Sequence, residues 1–536
     1  MNKIKNSLIL KTLPLTALVI AGCSNDNEDI ATPLSLNIEP LQQTAYLKAS
    51  NTGSGDNFGA GGTLLGDAVA LSKDGQTLAV GAPYESSNSP GVGGDQTDDS
   101  VYGAGAVYVF TLTNDIWIQE SYIKASNPDL ADNFGFITEL NASGDTLAVS
   151  AHFEASSTTG INGNEIDDSI PQAGAVYVFV RTNDGWIQQA YIKASNTGEI
   201  GQGEAFGDGD QFGSALSLSD DGNTLAISSI TEDGGSTGIN GDQSDNSERS
   251  AGAVYLFSRD EEIWKQTAYI KPSNTGAGDL FGYSLSLAAD GKRLAVGSFD
   301  EDGSNISTNQ QQDDNLPGSG AVYIFDHDGL TWQQTAYLKT SNAERQDSLG
   351  VSVAISDDGN TLVATALDED GMTTGINSNP VPDSDNDTST GAIYVYIYEN
   401  DNWSEQAYIK SSNTDSNDWF GSRLALSGDG NTLAAGAQLE DSFSRGINGN
   451  QQNNEATEAG AVYLFNRTSD TWTQVDYIKS SNSEAFDEFG SSISLSHDGS
   501  ILAIGAQFED SEAEGVNGNQ ANNSAFDSGA VYIFRR

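Results

Sequence analysis

The stretch AGAVYVF, at Ala104–Phe110, decides the fold of this 536-residue chain because it recurs. Successive copies are separated by 68 to 78 residues. Self-similarity at a nearly constant period indicates a repeat architecture, in which each copy belongs to one supersecondary unit. The chain therefore contains seven units. The other six copies are Ala173–Phe179, Ala251–Phe257, Ser319–Phe325, Thr390–Tyr396, Ala459–Phe465 and Ser528–Phe534.

Each unit contains four strand candidates, which we name A to D in chain order. In the third unit they are FGSALSLS (Phe212–Ser219), TLAISS (Thr224–Ser229), GAVYLF (Gly252–Phe257) and WKQTAYIKPS (Trp264–Ser273). The Leu-Ser-Leu-Ser alternation of strand A is typical of a strand with one buried face. Val-Tyr-Leu-Phe in strand C is apolar and aromatic throughout, which favours burial on both faces. Asp-Gly separates A from B in six units and predicts a tight hairpin.

Seven four-stranded antiparallel units predict an all-β fold, a seven-bladed β-propeller. An array of two-sheet sandwiches is the alternative, but unbroken repetition favours propeller blades. The stretch QQTAYLKASN, at Gln42–Asn51, matches strand D, whereas the last unit stops after strand C at Arg536. We therefore expect the N-terminal strand to complete the last blade, with Ala45–Ala49 antiparallel to Val531–Phe534. Such closure removes an exposed sheet edge.

The N-terminus predicts export. Basic residues precede the apolar run Leu13–Ile20, and small residues then lead to Cys23, the only cysteine. This pattern is that of a signal peptide, too short to span a membrane. Ala21-Gly22-Cys23 resembles the bacterial lipobox, which implies cleavage before Cys23 and lipidation of its sulfur and amine. An ordinary signal peptide with an incidental cysteine is the alternative.

Ser24, directly after the cysteine, resembles the residue found in lipoproteins that are sent to the outer membrane. The resemblance implies a cell-envelope protein that faces the periplasm or the exterior. We expect a signal peptide at 1–22, a lipidated cysteine with a polar tether at 23–41, and the propeller at 42–536. Several acyl chains anchor a protein stably where one chain does not.

Phe-Gly opens strand A in nearly every unit, and Gly-Ala closes several B strands, as at Gly436-Ala437 and Gly505-Ala506. By these residues the chain resembles the FG-GAP repeat proteins, whose relatives include the integrin α-subunit propellers. The resemblance covers residues 42 to 536 and implies an extracytoplasmic binding propeller. The family's calcium loop between A and B is replaced by a short Asp-Gly turn, so its metal ligands are not carried over. The Phe-Gly pairs begin at Phe58, Phe134, Phe212, Phe281, Phe420 and Phe489, with Leu349-Gly350 as the variant.

Charge narrows the possible partners. The formal net charge is −53, which disfavours nucleic acid and anionic lipid surfaces and attracts cations. The three histidines share no repeat register, and the chain has no Gly-x-Ser-x-Gly elbow or phosphate-binding loop. We therefore expect a protein that is not an enzyme and that acts as a monomeric propeller.

Three charged registers recur in all seven units, near the face that carries the B–C and D–A loops. They serve either the blade itself, by capping turns and pairing Lys with a carboxylate, or a bound cation such as Ca²⁺, the one cofactor that the pattern suggests. The Asp register, two residues before the A-strand Phe or Leu, is Asp56, Asp132, Asp210, Asp279, Asp347, Asp418 and Asp487. The Glu register, after strand B, is Glu85, Glu154, Glu232, Glu301, Glu369, Glu440 and Glu509. The Lys register, in strand D, is Lys48, Lys124, Lys193, Lys271, Lys339, Lys410 and Lys479.

The B–C loops carry Gly-Ile-Asn-Gly-like segments with side-chain oxygens at short spacing. Such segments either bind ligands or form unliganded turns. Deviations between units are better indicators of a unique site, and the loops of units three and five and an insertion in unit one stand out. The candidate loop residues are Asn162, Asn164, Asn240, Asp242, Asp245, Asp383, Asp385, Asn448, Asn450, Asn517 and Asn519.

These features lead to one principal hypothesis and two alternatives. The principal hypothesis is a lipid-anchored, non-catalytic propeller that serves adhesion or scaffolding by binding a protein or glycan through its acidic B–C/D–A loop face. One alternative is a divalent-cation-dependent enzyme that acts on polysaccharide. The other is a purely structural envelope protein.

Overall fold

The structure is a computed structural model that describes residues 40–60, 66–198, 209–304, 314–378 and 388–536. The predicted lipidation site Cys23 and the loop residues Asp383 and Asp385 lie outside these ranges. The described residues form strands, turns and loops, without a helix that is long and apolar enough to cross a membrane.

The described chain contains 28 strands, four for each predicted unit. In chain order they are β1 (Gln42–Leu47), β2 (Val69–Leu71), β3 (Thr77–Ala82), β4 (Ala106–Thr113), β5 (Ile116–Ile123), β6 (Thr138–Leu140), β7 (Thr146–Ala151), β8 (Ala175–Thr182), β9 (Gly185–Ile192), β10 (Phe212–Leu218), β11 (Thr224–Ser229), β12 (Ala253–Asp260), β13 (Ile263–Ile270), β14 (Ser284–Leu287), β15 (Arg293–Ser298), β16 (Ala321–His327), β17 (Trp332–Leu338), β18 (Leu349–Ile355), β19 (Thr361–Ala366), β20 (Ala392–Glu399), β21 (Asn402–Ile409), β22 (Phe420–Leu426), β23 (Thr432–Ala437), β24 (Ala461–Thr468), β25 (Thr471–Ile478), β26 (Phe489–Leu495), β27 (Ile501–Ala506) and β28 (Ala530–Arg535).

These strands form seven four-stranded antiparallel sheets, so the predicted seven-bladed propeller is confirmed. Each of the first six blades pairs its strands in the order A-B-C-D, from β2-β3-β4-β5 to β22-β23-β24-β25. The A strands of neighbouring blades contact one another around the ring. Strand A is therefore innermost and borders a central channel, and strand D is outermost.

The seventh blade is completed by the N-terminal strand, as expected. Its order is β1-β28-β27-β26, and β1 runs antiparallel to β28, with Tyr46 opposite Tyr532 and Leu47 opposite Val531. The predicted bounds are corrected: pairing begins at Gln42 and ends at Leu47. The next residue, Lys48, donates its backbone N–H to the carbonyl of Gly515 in the B–C loop instead.

The repeated Ala-Gly before strand C has a steric reason. Gly252 has a φ of +78°, and a Cβ there would lie 2.2 Å from the carbonyl oxygen of Phe281 in the next blade. Ala251 accepts a backbone hydrogen bond from Phe281 at 3.0 Å, so the two blades meet main chain to main chain. Only glycine tolerates both the conformation and the contact. The repeated stretch thus also makes the main-chain contact between each blade and the next one.

Candidate functional site

The recurring Glu of each blade lies in a buried polar network, best described in blade three. Glu232 accepts hydrogen bonds from the hydroxyl of Tyr269 at 2.7 Å and from Nζ of Lys271 at 2.9 Å. Asn196, which arrives from the preceding blade, donates to the same carboxylate at 3.0 Å. The hydroxyl of Tyr255 in strand C donates to Oδ1 of Asn196 at 2.7 Å. The network therefore ties strands B, C and D of one blade to the chain that leaves its neighbour.

The same Lys–Glu pair occurs in all seven blades, with Nζ–O distances from 2.7 to 3.4 Å and with both side chains at most 5% exposed. Burial lowers the pKa of Lys271, and the Glu232 carboxylate opposes this shift. A buried ion pair is tolerated when further hydrogen bonds satisfy both partners, which is the arrangement here. The Glu and Lys registers thus serve the blade, the first of the two roles expected from the sequence.

The recurring Asp caps the turn that leads into strand A. Oδ2 of Asp279 accepts a hydrogen bond from the Gly276 backbone N–H at 2.9 Å. Burial, with the nearby charge of Glu301, raises the pKa of Asp279 to about 7. Burial and a neighbouring Glu likewise raise the pKa of Asp132 to about 8. The described residues hold no group of three or more Asp, Glu, His or Cys side chains that could bind a metal ion. Calcium binding stays a prediction.

The loop asparagines divide into two groups. Asn240 has a φ of +55° and bonds with both its backbone N–H and its Oδ1 to the main chain of Tyr269 in strand D. Asn162, Asn448 and Asn517 make the same pair of contacts with their own D strands. The second group closes local turns by accepting backbone N–H bonds two residues ahead; it consists of Asn164, Asp242, Asp245, Asn450 and Asn519. The first group thus ties its loop to strand D of the blade, although these asparagines are exposed, whereas the second group bonds only within its own turn.

The central channel is where residues depart from the repeat. Its cavity of about 270 Å³ is lined by the A strands of all seven blades. Glu139 occupies a position that holds Ala or Ser in the other six blades, and Arg423 replaces Ala, Ile or Ser. Asp67 follows the insertion of unit one. Burial raises the pKa of Asp67 to about 7 and that of Glu139 to about 8, and Arg423 opposes the shift at Asp67.

The A–B turns close one end of this channel. The residues that open these turns are linked around the ring by backbone hydrogen bonds, such as His497 to the Lys73 carbonyl at 2.9 Å. Side chains add a second layer: Lys73 pairs with both Asp220 and Asp357. Nδ1 of His497 lies 2.8 Å from an oxygen of Asp357. A ligand would therefore enter from the opposite end, at the B–C/D–A face.

That open end is partly apolar. Ile230, Tyr283, Val351 and Leu367 form one cluster, with Phe299 and Trp419 packed against it. These six residues come from four consecutive blades, and two of them, Tyr283 and Val351, line the cavity. His152 of blade two stacks between Phe136 and Phe153, with ring centroids 3.8 Å apart in each pair. Burial lowers the pKa of His152 to about 3, so this imidazole is neutral at pH 7.

The loop face also carries a sector of exposed aromatic rings. All five exposed aromatic residues within the described ranges lie on the B–C or D–A loops of three consecutive blades, six, seven and one. Tyr84 and Tyr102 stack with centroids 6.4 Å apart and an interplanar angle of 28°. We call this set the aromatic sector; it consists of Tyr84, Tyr102, Phe443, Phe486 and Phe526.

Sequence reasoning missed Glu139, Arg423 and the aromatic sector. The signal for Glu139 was present, because this position of strand A carries an acidic residue in unit two and Ala or Ser in the other six units. The sector had a weaker signal, since only Tyr102 and Phe526 share a repeat register, three residues before the Gly that precedes strand C. The loops that carry the five rings belong to consecutive blades because blade seven lies beside blade one in the closed ring. The predicted loop deviations of units three and five fall largely at residues 199–208 and 379–387, outside the described ranges.

Comparison with known proteins supports the repeat assignment. The profile of the FG-GAP repeat family matches residues 264–325, 403–465 and 472–534. No curated protein sequence matches the chain. Among solved structures, a candidate 6-phosphogluconolactonase of Bacteroides uniformis is similar, with 11% identity and a TM-score of 0.42 over 77% of this chain and 85% of that one. The hydrazine synthase of Kuenenia stuttgartiensis is also similar, with 12% identity and a TM-score of 0.46 over 88% and 96%.

Each of the three matched segments runs from strand D of one blade through strands A and B to strand C of the next, as residues 264–325 run from β13 to β16. The chain is thus a seven-bladed β-propeller that carries FG-GAP repeats.

Proposed function

We propose that this propeller is a non-catalytic binding module of the cell envelope, anchored through a lipid on Cys23, which recognises a protein or glycan through its B–C/D–A loop face. The observation that most supports this proposal is the aromatic sector. Tyr and Phe are enriched where proteins bind one another, and exposed aromatic side chains gathered on the loops of one face indicate a candidate interaction surface. All five lie on one face, on the loops of three consecutive blades of the seven.

The remaining recurring polar groups support the same conclusion by elimination. The Glu, Lys and first-group Asn residues are occupied within the scaffold, so the repeated face is a rigid support rather than a repeated site. Recognition usually lies on loops that a rigid scaffold positions. The net charge of −53 adds a preference for a partner with a basic surface.

The topology suits display away from a membrane. Strand β1 begins with Gln42 opposite Arg535, at the face of the C–D turns, and ends at the B–C loop. A lipid tether that reaches β1 would therefore arrive on the side opposite the aromatic sector. The loop face would then point toward a partner.

The experiment places a photo-crosslinking amino acid at position 102 in living cells. The matched control carries it at Leu330, which is 91% exposed in the C–D turn of blade four, on the other face. An adduct at 102 alone identifies a protein partner. For a glycan partner, an array should bind the purified chain and lose binding in Tyr102→Ala/Phe526→Ala but not in Leu330→Ala. Equal labelling at both positions, with no glycan binding, would reject the loop face as the site.

A further inference from the structure

The A–B end of the central channel needs side chains to close it. Backbone hydrogen bonds of 2.9–3.2 Å join the seven residues that open the A–B turns, and we call these residues the axial ring. Hydrogen-bonded chain segments lie about 4.8 Å apart, so a ring of seven is about 11 Å across between opposite backbones. Once the radii of the backbone atoms are subtracted, an opening remains that only side chains can fill. The axial ring consists of Lys73, Ala142, Asp220, Ala289, Asp357, Gly428 and His497.

Four side chains of the axial ring meet near the propeller axis. Nζ of Lys73 in blade one lies 2.5 Å from Oδ1 of Asp220 in blade three and also contacts Asp357 in blade five. Blades one, three and five are not neighbours, so one ammonium group can contact both carboxylates only near the axis. Nδ1 of His497 in blade seven lies 2.8 Å from Oδ2 of Asp357. We call Lys73, Asp220, Asp357 and His497 the axial cluster.

The other three residues of the axial ring are small, which leaves room for this cluster. Gly428 lies between Asp357 and His497 along the ring, and its backbone bonds to both. A Cβ on Gly428 would lie 2.0 Å from Nδ1 of His497 and 2.5 Å from Oδ2 of Asp357. Gly428 does not have a positive φ, so this contact, and not its backbone conformation, excludes a larger residue. The side chains of the cluster are thus packed against the ring that they fill.

The axial cluster is held by charge and remains within reach of salt. Lys73, Asp220 and Asp357 are 25–33% exposed, and His497 is 52% exposed. The Lys73 ammonium lies between two carboxylates, so its removal leaves two like charges that repel one another. Partly exposed ion pairs are weak, and salt weakens them further. A closure of this kind can open while the blades around it stay folded.

We propose that the axial cluster is an ionic latch at the A–B end of the central channel. While Lys73 holds both carboxylates, the channel is blind at this end and exchanges with solvent through the loop face. When salt weakens these pairs, the aperture opens and the channel becomes continuous between the two faces of the propeller. The latch lies on the face opposite the aromatic sector and does not depend on the proposed loop-face partner.

The test measures how fast a thiol inside the channel is modified. Ala354 lines the cavity three residues before Asp357, so Ala354→Cys places a small reactive group behind the latch. Cys23, the only native cysteine, is removed by Cys23→Ser in every variant. The reagent is methyl methanethiosulfonate, which is small and uncharged, so salt does not change its attraction to the protein.

Three changes are compared in this background. Lys73→Gln releases the latch, and Lys73→Arg keeps a cation between the carboxylates. The matched control is Lys292→Gln, which removes one positive charge from the A–B turn of blade four. There Lys292 pairs with Asp290 of its own turn at 3.3 Å, with both side chains 59–60% exposed, and so stays away from the axis. Urea unfolding confirms that every variant is folded.

We expect Lys73→Gln to raise the rate of modification at position 354 at least about threefold at low salt, and Lys73→Arg and Lys292→Gln to leave it unchanged. With Lys73 intact, about 1 M NaCl should raise the rate, whereas in Lys73→Gln salt should change it little. Equal rates with and without Lys73→Gln would overturn the proposal. It would also be overturned if Lys73→Arg or Lys292→Gln raised the rate as much as Lys73→Gln does.

Discussion

Lys48 provides the sharpest test of how the ring is held closed. It lies just beyond the closing strand, and its Nζ donates to Glu509 at 2.9 Å and to Ser528 Oγ at 2.7 Å. Both ionic side chains are at most 1% exposed. The change Lys48→Met keeps the length of the side chain but leaves the Glu509 carboxylate buried without a cation. Breaking a buried pair in this way costs about 3–5 kcal/mol, whereas an exposed pair is worth about 0–1 kcal/mol.

The free energy of unfolding that is lost in Lys48→Met should return when Glu509 is made neutral as well. In Lys48→Met/Glu509→Gln neither member of the pair carries a charge. The amide oxygen of the introduced glutamine can still accept from Tyr46 and Asn482, which donate to the native Glu509 at 2.9 and 2.8 Å. Replacing a whole buried pair with neutral groups is often nearly neutral for stability. We therefore expect the double variant to recover most of the free energy of unfolding that the single variant loses.

The measurement is equilibrium urea unfolding at pH 7, followed by tyrosine and tryptophan fluorescence. A parallel cycle at Lys271 and Glu232 in blade three provides the matched control, because it breaks the same pair away from the closing strand. Hydrogen exchange of β1 should rise in Lys48→Met and stay low in Lys271→Met. A loss below about 1 kcal/mol in Lys48→Met would refute the reasoning, since it would show that the pair is effectively solvated. The reasoning would also be refuted if the double variant Lys48→Met/Glu509→Gln were no more stable than Lys48→Met alone.

Four further outcomes follow from the same structure. Burial raises the pKa values of Asp132 and Asp487 to about 8, so the folded chain holds two protons that the unfolded chain releases near pH 4. The free energy of unfolding should therefore fall as the pH rises from 5 to 8, and replacing both residues by Asn should make the urea midpoint less dependent on pH. Lys73→Met, which removes a part-exposed ammonium between two carboxylates, should lower stability by about 1 kcal/mol at low salt and by less at 1 M salt. Deleting residues 42–51 should lower the melting temperature far more than deleting residues 24–39, because the first deletion removes β1, which pairs with β28. If the carboxylate-rich loops bind calcium, the melting temperature should be higher in CaCl₂ than in EDTA. Equal melting temperatures in the two conditions would exclude calcium as a stabilising ligand.

The fold could be predicted because the same local pattern is repeated. Period-two alternation in Leu216–Ser219, the Asp-Gly turns and the missing last D strand favoured a propeller over an array of two-sheet sandwiches, and the structure confirms the propeller. Strand bounds shifted by up to three residues, since strand C continues to Asp260 and strand D ends at Ile270. These ends depend on the neighbouring strand's register, which single-strand patterns do not contain.

The site was less predictable for a physical reason. The pattern placed Glu232 and Lys271 on one face, but it did not show that Asn196 of the preceding blade completes their network, because that contact requires the inter-blade geometry. The metal hypothesis counted carboxylates, and the pattern did not show that each recurring Glu already has a Lys beside it. Which carboxylates are paired and buried depends on the fold, which a residue's repeat register does not report, and calcium binding stays a prediction.

The distinction between repeated and unrepeated residues follows from symmetry. A residue that recurs in every blade meets the same neighbours seven times, so its contacts stabilise each blade and each inter-blade seam equally. A single site needs residues that break the symmetry, and Glu139 in the channel and Phe526 on the loops do so. Phe526 accepts, through its carbonyl, a backbone hydrogen bond from Gly55 at 2.8 Å across the seam that β1 closes. The loops that carry the aromatic sector are therefore joined across this seam in the closed ring, and the strand that completes blade seven also brings together the loops to which we assign recognition.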